Sequence, residues 1–480
     1  MNDRKGFGSN FGFLMAAVGS AVGLGNIWGF PNKMGANGGF PFLILYLALA
    51  LCCGVIIMLG ELALGRKTGH GAVGAYQSIS KRFKWLGWLG IAAAALIFSF
   101  YSALGGYCLR YVVVNFGNLI GAEFGTNGVG GSDVFQGLLS QPGVSIAFAL
   151  AFMLITMLVV MSGVGGGIER VCSVGMPALF FILIICIIRS CTLPGAADGL
   201  KYMFVPGWAV ANGIIDEAPG FWRVLTAAGG QMFFSLSLGA GVMITYGSYL
   251  DKKQDLGKST MIIVGMDTVV ALMAGLCVIP GRFALAPNGA LGGPELLFIT
   301  MQNVFDKMGP AGPVFGILFY LLVFFAAISS SISLLEVIVA HFCDKAREKG
   351  KGDRRKLYSA IVVVICAALC ALVCADGMGS NHISPAELLG LAGAKLPGWS
   401  TSWLGLFDSV AEGLLMPLGA LLMCLMISWE LKPDVLRQEI LLNGENRPWV
   451  YDFFRLCVKY ITPLCMLMIL YGQISDFFIA

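Results

Sequence analysis

Acidic side chains inside long apolar runs of the sequence are informative, because a charge is costly there. Asp267 lies eight residues after the start of the run near residue 259, and Glu61 lies near the end of the run that starts near residue 40. A lone carboxylate at the centre of a bilayer costs about 2.5 kcal/mol or more and needs a partner. For Asp267 we expect a bound cation, with a misplaced span end as the alternative. For Glu61 we expect a structural role, in which backbone N–H groups near an unwound segment pair with the carboxylate.

Two of the apolar runs are also interrupted by glycine and serine. The first contains GSAVGLGN at residues 19–26, ahead of Pro31, and the sixth contains SLSLGAG at residues 235–241. Gly weakens a helix by about 1 kcal/mol relative to Ala. Either stretch alone fits close packing of helices through small residues. Two such interruptions at corresponding places in two halves of a chain instead indicate a transporter, whose site forms where both helices unwind at the bilayer midplane.

The chemistry of an unwound helix follows from its backbone. N–H and C=O groups freed within a membrane cost several kcal/mol each unless they are buried in protein or line a polar cavity. Half-helix N-termini favour an anion, and half-helix C-termini favour a cation. A site with both kinds of helix end suits a zwitterion accompanied by a small cation.

The elements that must position these residues are membrane-spanning helices. Hydrophobic residues make up 57% of the 480 residues and charged residues only 12%, against roughly 25% charged in a typical soluble protein. This composition excludes separate soluble domains, nucleic-acid binders and disordered scaffolds. Runs of about 20 apolar residues can cross a bilayer. We predict an all-α integral membrane protein with eleven transmembrane helices, near residues 11–31, 40–64, 87–118, 144–162, 170–189, 223–249, 259–281, 312–342, 357–375, 406–429 and 453–478.

The two interrupted spans are the first members of two successive sets of five. We therefore predict two inverted five-helix repeats with discontinuous first and sixth helices, plus one extra helix. The corresponding segments are 1–189 for the first repeat, 190–222 for an extracellular loop, 223–430 for the second repeat, and 431–480 for a cytoplasmic loop and the eleventh helix.

The lysine and arginine residues indicate the orientation. With the N-terminus in the cytoplasm, 21 of them fall in cytoplasmic segments and six in external loops, and such a bias marks the cytoplasmic side. An odd number of spans then puts the C-terminus outside the cell. We expect a multi-pass protein of the plasma membrane.

Residues that could support an enzyme are sparse. The 14 cysteines form no C-x-x-C pair and mostly lie in apolar runs, as small buried side chains do. His70, His341 and His382 are far apart and have no acidic neighbours at metal-binding spacing. The sequence has no phosphate-binding loop and no nucleophile with a base, so we do not expect an enzyme.

Six groups of motifs resemble the neurotransmitter:sodium symporter family, in its bacterial branch. They are GSAVGLGN followed by W-x-F-P and ANGG in the first span, GELALGR at 60–66, SFYS at 99–102, QMFFSLSLGAG with ITYGSY at 231–249, FFAAISSSIS at 324–333 and FDSVAEGLLMPLG at 407–419. They cover nearly the whole chain in the family's order. The resemblance implies a sodium-coupled transporter with two Na⁺ sites and a fold like that of the leucine transporter of this branch.

The resemblance assigns ligands to the two ions, and Na⁺ prefers oxygen ligands as other hard cations do. Family members often carry Asn at the place of Asp267, together with a chloride ion. A carboxylate supplies that negative charge itself, so we predict chloride-independent transport. For a single serine, a hydrogen bond back to its own helix is the alternative. One Na⁺ site takes backbone carbonyls of Gly19, Val22 and Ala326 with the hydroxyls of Ser329 and Ser330, and the other takes the carbonyl of Ala21 with side chains of Asn26, Ser235 and Asp267.

The resemblance also implies a binding site for an amino acid. Ala240 stands where the leucine transporter has a bulky Phe, which favours larger apolar or aromatic substrates. The carboxylate is expected to meet the first Na⁺, the N–H groups of Leu24 and Gly25 and the Tyr101 hydroxyl, and the ammonium to meet carbonyls of Ala21, Phe234 and Ser235. The side chain is expected to contact Ile97, Tyr101, Phe234, Ser237, Ala240, Ser330 and Leu334.

Two gates are implied as well. On the inner side, Arg4 and Asp344 match the family's gate pair, with Ser248 and Tyr249 nearby. On the outer side, the family usually carries Arg two residues before the Pro of the first span, paired with an acid in the tenth span. Gly29 replaces that Arg here, while Asp408 provides the acid. We therefore expect the outer gate of this chain to close differently.

These observations together predict a sodium-coupled importer of an amino acid that works by alternating access. Coupling is expected because the substrate carboxylate and an ion share one site, so each raises the affinity of the other. The expected partners are the amino acid, Na⁺ and the lipid bilayer, without nucleic acid, and the chain is expected to be a monomer or a weak homo-oligomer. Two alternatives stay open: a transporter of another small zwitterion, such as a betaine or an amino sulfonate, and a non-transporting sensor on the same fold.

Overall fold

The computed structural model describes residues 7–126, 128–286, 291, 293, 295–390, 398–430, 436–441 and 448–478. The regular structure of this part of the chain is helical throughout, without a β-strand. We number the helices in chain order, with their π-helical turns included: α1 (Asn10–Ala21), α2 (Gly25–Ala36), α3 (Phe40–Thr68), α4 (Ala72–Ile79), α5 (Lys81–Ile120), α6 (Gly131–Leu139), α7 (Pro142–Met161), α8 (Val164–Cys191), α9 (Ala196–Phe204), α10 (Trp208–Ala211), α11 (Phe221–Ser235), α12 (Val242–Gly247), α13 (Leu256–Leu285), α14 (296–306), α15 (Gly309–Glu348), α16 (Arg355–Gly379), α17 (Pro385–Leu388), α18 (Trp403–Glu430), α19 (Arg437–Ile440) and α20 (Trp449–Ser475).

The described helices include nine that are long and apolar enough to cross a membrane, namely α3, α5, α7, α8, α13, α15, α16, α18 and α20. Helices α1 and α2 together form a tenth candidate, bent by 44° at its break. The predicted sixth span corresponds to α11 and α12, which six residues separate and which are each too short to cross alone. The all-helical membrane architecture is thus confirmed, whereas the count of eleven spans stays a prediction.

Local sequence explains where several helices begin and end. Ser9 accepts a hydrogen bond from the Gly12 N–H (2.9 Å) at the start of α1, and Asp255 accepts one from the Lys258 N–H (3.1 Å) at the start of α13. Such side chains satisfy N–H groups that a helix leaves unpaired at its N-terminus. Gly69 ends α3 in a left-handed conformation, as glycine commonly does at a helix C-terminus.

The central helices are buried and the peripheral helices expose apolar side chains. Helix α15 packs along α5, and both contact α7 and α16. On the peripheral helices α8 and α16, Phe181 and Val364 are each 70% exposed. A helix that is apolar on all faces is typical of a membrane span, and these side chains form the surface expected to meet lipid.

The two helix breaks lie where the glycine-rich stretches predicted them. Between α1 and α2, Val22 adopts an extended conformation. Between α11 and α12, Ser237, Gly239 and Gly241 all have positive φ angles. For Ser237, a residue with a Cβ atom, such a conformation costs about 1 to 3 kcal/mol and persists only where the surroundings impose it. The Ser237 Oγ donates to the Ser20 carbonyl (3.2 Å), which joins one break to the other.

Candidate functional site

Asp267 is fully buried on α13, beside both helix breaks. Its carboxylate accepts hydrogen bonds from Asn26 Nδ2 (2.7 Å), from Ser235 Oγ (2.9 and 3.0 Å to its two oxygens) and from the Tyr46 hydroxyl (3.2 Å). Asn26 lies just after the first break, and Ser235 is the last residue of α11. The alternative of a misplaced span end is therefore wrong. Its described hydrogen-bonding partners are neutral, so the negative charge favours a cation at this place.

The amide of Asn26 has an orientation that sequence reasoning did not predict. We expected its oxygen to face the ion site, but its Nδ2 donates to Asp267 and to Ser235 Oγ (3.0 Å). The oxygen instead accepts the Gly23 N–H (3.0 Å). The physical reason is complementarity, because an amide N–H group donates and a carboxylate only accepts.

A second group of oxygen atoms lies between α1 and α15. Ser329 Oγ donates to the Ala326 carbonyl (2.9 Å) and lies 3.4 Å from the Val22 carbonyl oxygen, and Ser330 Oγ lies 3.4 Å from the Gly19 carbonyl oxygen. All five oxygen-bearing residues predicted for the first Na⁺ site thus come together. Ser329 Oγ also lies 3.2 Å from the Phe325 carbonyl oxygen. The hydroxyl group therefore contacts both its own helix and the first helix break.

A small cavity of about 20 Å³ lies between the two breaks. It can hold about one water molecule, so its walls must separate to admit an amino acid. Nine of the eleven residues predicted to bind substrate line it: Ala21, Gly25, Ile97, Tyr101, Phe234, Ser237, Ala240, Ser330 and Leu334.

The other two predicted substrate residues have different neighbours. The Leu24 N–H donates to the Tyr101 hydroxyl (2.8 Å). The side chain of Ser235 bonds to Asp267 and, with Asn26 and Tyr46, forms what we call the Asp267 cluster. Gly23 and Met416 line the cavity although sequence reasoning missed them. A Cβ atom on Gly23 would lie 2.6 Å from the Tyr101 hydroxyl oxygen. This glycine therefore permits the close approach of α5 to the first break.

Glu61 supports the second break from α3. Its Oε1 atom accepts the N–H group of Gly239 (2.7 Å), and its carboxylate also accepts backbone hydrogen bonds from Met243 and Ile244. It is almost fully buried, with 1% of its surface exposed. The structural role expected for Glu61 is therefore confirmed.

Tyr46 is a member of the Asp267 cluster that the motifs did not reveal. It is the only residue with a hydroxyl group in the apolar run 40–64, and this isolation is the signal that could have found it. We expect Tyr46→Phe to weaken Na⁺ binding about tenfold, because a hydrogen bond to a charged group contributes about 1.5 to 3 kcal/mol.

Titration of Na⁺-dependent substrate binding checks the prediction for Tyr46. Tyr320→Phe is the matched control, since the Tyr320 hydroxyl is also buried but donates to the Leu297 carbonyl (3.0 Å) far from Asp267. Equal Na⁺ affinities of the two variants would contradict the role of Tyr46.

At the end of the bundle predicted to face the cytoplasm, the gate residues are only partly described. Arg4 lies outside the described residues. Asp344 accepts the Gly71 N–H (3.2 Å) and lies 3.9 Å from Arg347. The Tyr249 hydroxyl donates to Glu336 (2.6 Å), which also pairs with Arg355.

The remaining inner contacts surround Ser248 and the start of the described chain. Ser248 Oγ donates to the Thr245 carbonyl (2.6 Å). Phe7 packs edge-on against Tyr246 and Tyr249 and covers this end of α12. Glu169 on α8 accepts the Gly8 N–H (2.7 Å), which fastens the N-terminal segment to the start of α8.

At the end of the bundle predicted to face outward, the ion pair between α2 and α18 does not involve Gly29 or Asp408. Lys33 on α2 pairs instead with Glu412 on α18. Sequence reasoning missed both residues. Each lies four positions after the site it replaces, and this matched spacing is the signal that could have found the pair.

Known proteins resemble this chain over most of its length. The model of the sodium:neurotransmitter symporter family matches residues 4–127 and 132–478. The uncharacterized sodium-dependent transporter YhdH of Bacillus subtilis is 36% identical over 479 residues, covering 97% of each chain. An uncharacterized sodium-dependent transporter of Methanocaldococcus jannaschii is 28% identical over 494 residues, covering 99% of this chain and 91% of the relative. The crystal structure of MhsT in complex with L-phenylalanine matches with a TM-score of 0.83 at 34% identity, covering 98% of this chain and 100% of that chain.

Proposed function

The chain belongs to the sodium:neurotransmitter symporter family, and from this premise we propose that it imports a large apolar or aromatic amino acid together with Na⁺. The observation that carries the proposal is the convergence of the Asp267 cluster, the Ser329 and Ser330 hydroxyls and the small cavity on the same two helix breaks. Import proceeds by alternating access, in which the outer and inner sides open in turn around a fixed site.

Two Na⁺ ions are proposed to bind at these oxygen atoms. One ion lies between α1 and α15, on the carbonyls and hydroxyls around Ser329. The other lies at Asp267, where the carboxylate balances its charge without chloride. Substrate and ion stabilise the same arrangement of the broken helices, so each raises the affinity of the other.

A large apolar side chain is proposed for the substrate because of the residues that line the cavity. Ala240 is fully buried there and contributes only a methyl group, while Phe234 is half-buried and offers an aromatic face. The relative MhsT was crystallised in complex with L-phenylalanine, which agrees with this substrate class.

The proposed topology places the N-terminus in the cytoplasm and the C-terminus outside the cell, in the plasma membrane. It rests on the bias of lysine and arginine residues toward one side. Segments 1–189 and 223–430 are proposed as the two inverted repeats. The functional unit is proposed to be a monomer or a weak homo-oligomer.

We expect Ala240→Phe to change which amino acids bind. A phenyl ring at this position fills the cavity, and overpacking of a closed site costs about 1 to 3 kcal/mol. Phenylalanine affinity should fall at least about tenfold, whereas alanine affinity should change little. Ala240→Val, with a smaller increase in volume, should give an intermediate loss for phenylalanine. Competition binding with a panel of amino acids checks this order, and an equal loss for alanine and phenylalanine would contradict it.

Uptake by proteoliposomes tests the proposed function. Vesicles that contain the purified protein are given an inward Na⁺ gradient, with K⁺ replacing Na⁺ in the control, and labelled phenylalanine, leucine, alanine, glycine betaine or taurine outside. We expect accumulation of phenylalanine with Na⁺ alone. Accumulation of only a betaine or an amino sulfonate would favour the transporter of another zwitterion. Binding without accumulation of any compound would favour a sensor.

A further inference from the structure

An ion pair joins α2 and α18 on the proposed outer side, between two residues to which the family resemblance assigns no role. Lys33 lies four residues after Gly29 on α2, and Glu412 lies four residues after Asp408 on α18. Four residues make about one turn of an α-helix, or about 6 Å along the axis. In the proposed topology α2 runs outward and α18 runs inward, so Lys33 lies one turn further out than Gly29 and Glu412 one turn further in than Asp408.

The surroundings of this pair are partly closed to water. The side chain of Lys33 is 24% exposed and that of Glu412 only 8%. Asp408 lies beside Glu412, close enough for the two carboxyl groups to share a hydrogen bond, and also interacts with Lys33. Partial burial makes such an ion pair stronger than one on an open surface.

Helix α11 leaves room for the ion pair, and a cavity lies next to the pair. A Cβ atom on Gly230 of α11 would lie 2.9 Å from Glu412 Oε1 and 3.6 Å from Lys33 Nζ. Above the pair lies a cavity of about 290 Å³, whose lining includes Lys33, Glu412, Asp408 and Arg223. The pair thus lies at the floor of an outer cavity and separates it from the interior.

Gln231 lies beside Gly29, one helical turn further in than Lys33. This fully buried residue of α11 donates from Nε2 to the Gly25 carbonyl (2.6 Å) at the first break. Its Oε1 lies 2.9 Å from the position of a Cβ atom on Gly29. Because Gly29 has no side chain, there is room for Gln231. A long cationic side chain at position 29 would displace Gln231.

We propose that Lys33 and Glu412, with Asp408 as their neighbour, form the outer gate of this transporter, and that Gln231 fills the layer beneath them. The ion pair bridges α2 and α18, which must separate for a substrate to enter from outside. Opening breaks the pair, and closure restores it above the bound substrate. The proposal rests on the proposed function, because a gate has meaning only for a substrate that passes it.

The test measures how fast labelled phenylalanine leaves the purified protein in saturating Na⁺ after dilution into unlabelled substrate. Lys33→Gln and Glu412→Gln each remove one charge and should speed release about tenfold or more, since losing one partner of a desolvated pair mainly raises the dissociation rate. The exchanged double variant Lys33→Glu/Glu412→Lys should release substrate within about threefold of the wild-type rate. Lys33→Arg, which keeps the charge, should do the same and covers the case in which the exchanged variant does not fold.

A matched control removes a different outer ion pair. Lys201 and Asp198 on α9 are both about half exposed and lie 3.1 Å apart. Lys201→Gln and Asp198→Asn should leave the release rate unchanged, because an exposed pair contributes little.

The outcomes separate the gate from the function. Wild-type protein that neither binds nor accumulates an amino acid with Na⁺ would overturn the proposed function. Wild-type binding and transport, with folded Lys33→Gln and Glu412→Gln variants that release substrate at the wild-type rate, would overturn the gate alone. An exchanged variant that folds but releases substrate as fast as the single variants would also overturn it, because charge pairing would then not be the cause.

Discussion

Replacing Asp267 with Asn is expected to reduce Na⁺-driven uptake in chloride-free buffer by at least about 30-fold, and chloride is expected to restore part of it. The substitution keeps the shape of the side chain and its ability to accept hydrogen bonds from Ser235 and Tyr46. It removes the only negative charge of the cluster described here. A charge pair about 4 Å apart in a partly polar protein interior contributes about 4 kcal/mol, and 30-fold corresponds to about 2 kcal/mol.

Uptake rates of wild-type and Asp267→Asn protein, each with chloride or with gluconate, give four values to compare. The wild-type rate should be the same with both anions. Asp198→Asn, which neutralises an exposed carboxylate elsewhere, should behave as the wild type. A wild-type protein that requires chloride, or an Asp267→Asn variant with unchanged uptake in gluconate, would refute the role of this carboxylate.

Gly239→Ala is expected to abolish substrate binding, because the second helix break cannot accept a side chain at this residue. Gly239 has a φ angle of +78°, and a Cβ atom there would collide with the backbone carbonyl of Met416 on α18. A backbone atom cannot move aside as a flexible side chain can, so α18 or the break itself must shift. Such a shift also strains the hydrogen bond from the Gly239 N–H to Glu61. We expect at least about a 30-fold loss of Na⁺-dependent phenylalanine affinity.

Gly309→Ala is the matched control, because it adds a side chain to a residue in the left-handed conformation without causing a collision. Gly309 also has a positive φ angle, +65°, but no atom lies within 4 Å of its Cβ position. A non-glycine residue in that conformation costs about 1 to 2 kcal/mol, so this variant should lose some thermal stability and keep its affinity. Equal affinities of the two alanine variants would show that the close approach to Met416 is not required.

Much of the fold could be predicted because membrane spans and helix breaks are encoded locally. Long apolar runs predict helices from the thickness of the bilayer alone. The glycine-rich stretches predict the breaks because glycine is poor at sustaining a helix and tolerates the angles seen at Gly239 and Gly241. Asp267 could be singled out because a charge inside an apolar run requires compensation.

The missed residues are those whose role depends on packing between distant segments. Tyr46 is an ordinary amphipathic residue of a span until α3 lies against α13. Lys33 and Glu412 are 379 positions apart, and neither charge alone indicates its partner. The orientation of the Asn26 amide depends on both Gly23 and Asp267. A local pattern can single out one member of such a pair but does not establish the contact, because the contact arises only when distant helices meet.

The most direct test of sodium-coupled import is the entry of labelled Na⁺ into proteoliposomes at equal Na⁺ concentration on both sides, with and without external phenylalanine. If Na⁺ and substrate move together, an inward gradient of phenylalanine alone must drive Na⁺ inward, and the account predicts net Na⁺ accumulation that Asp267→Asn abolishes in chloride-free buffer. Phenylalanine entry without any net Na⁺ movement would contradict it.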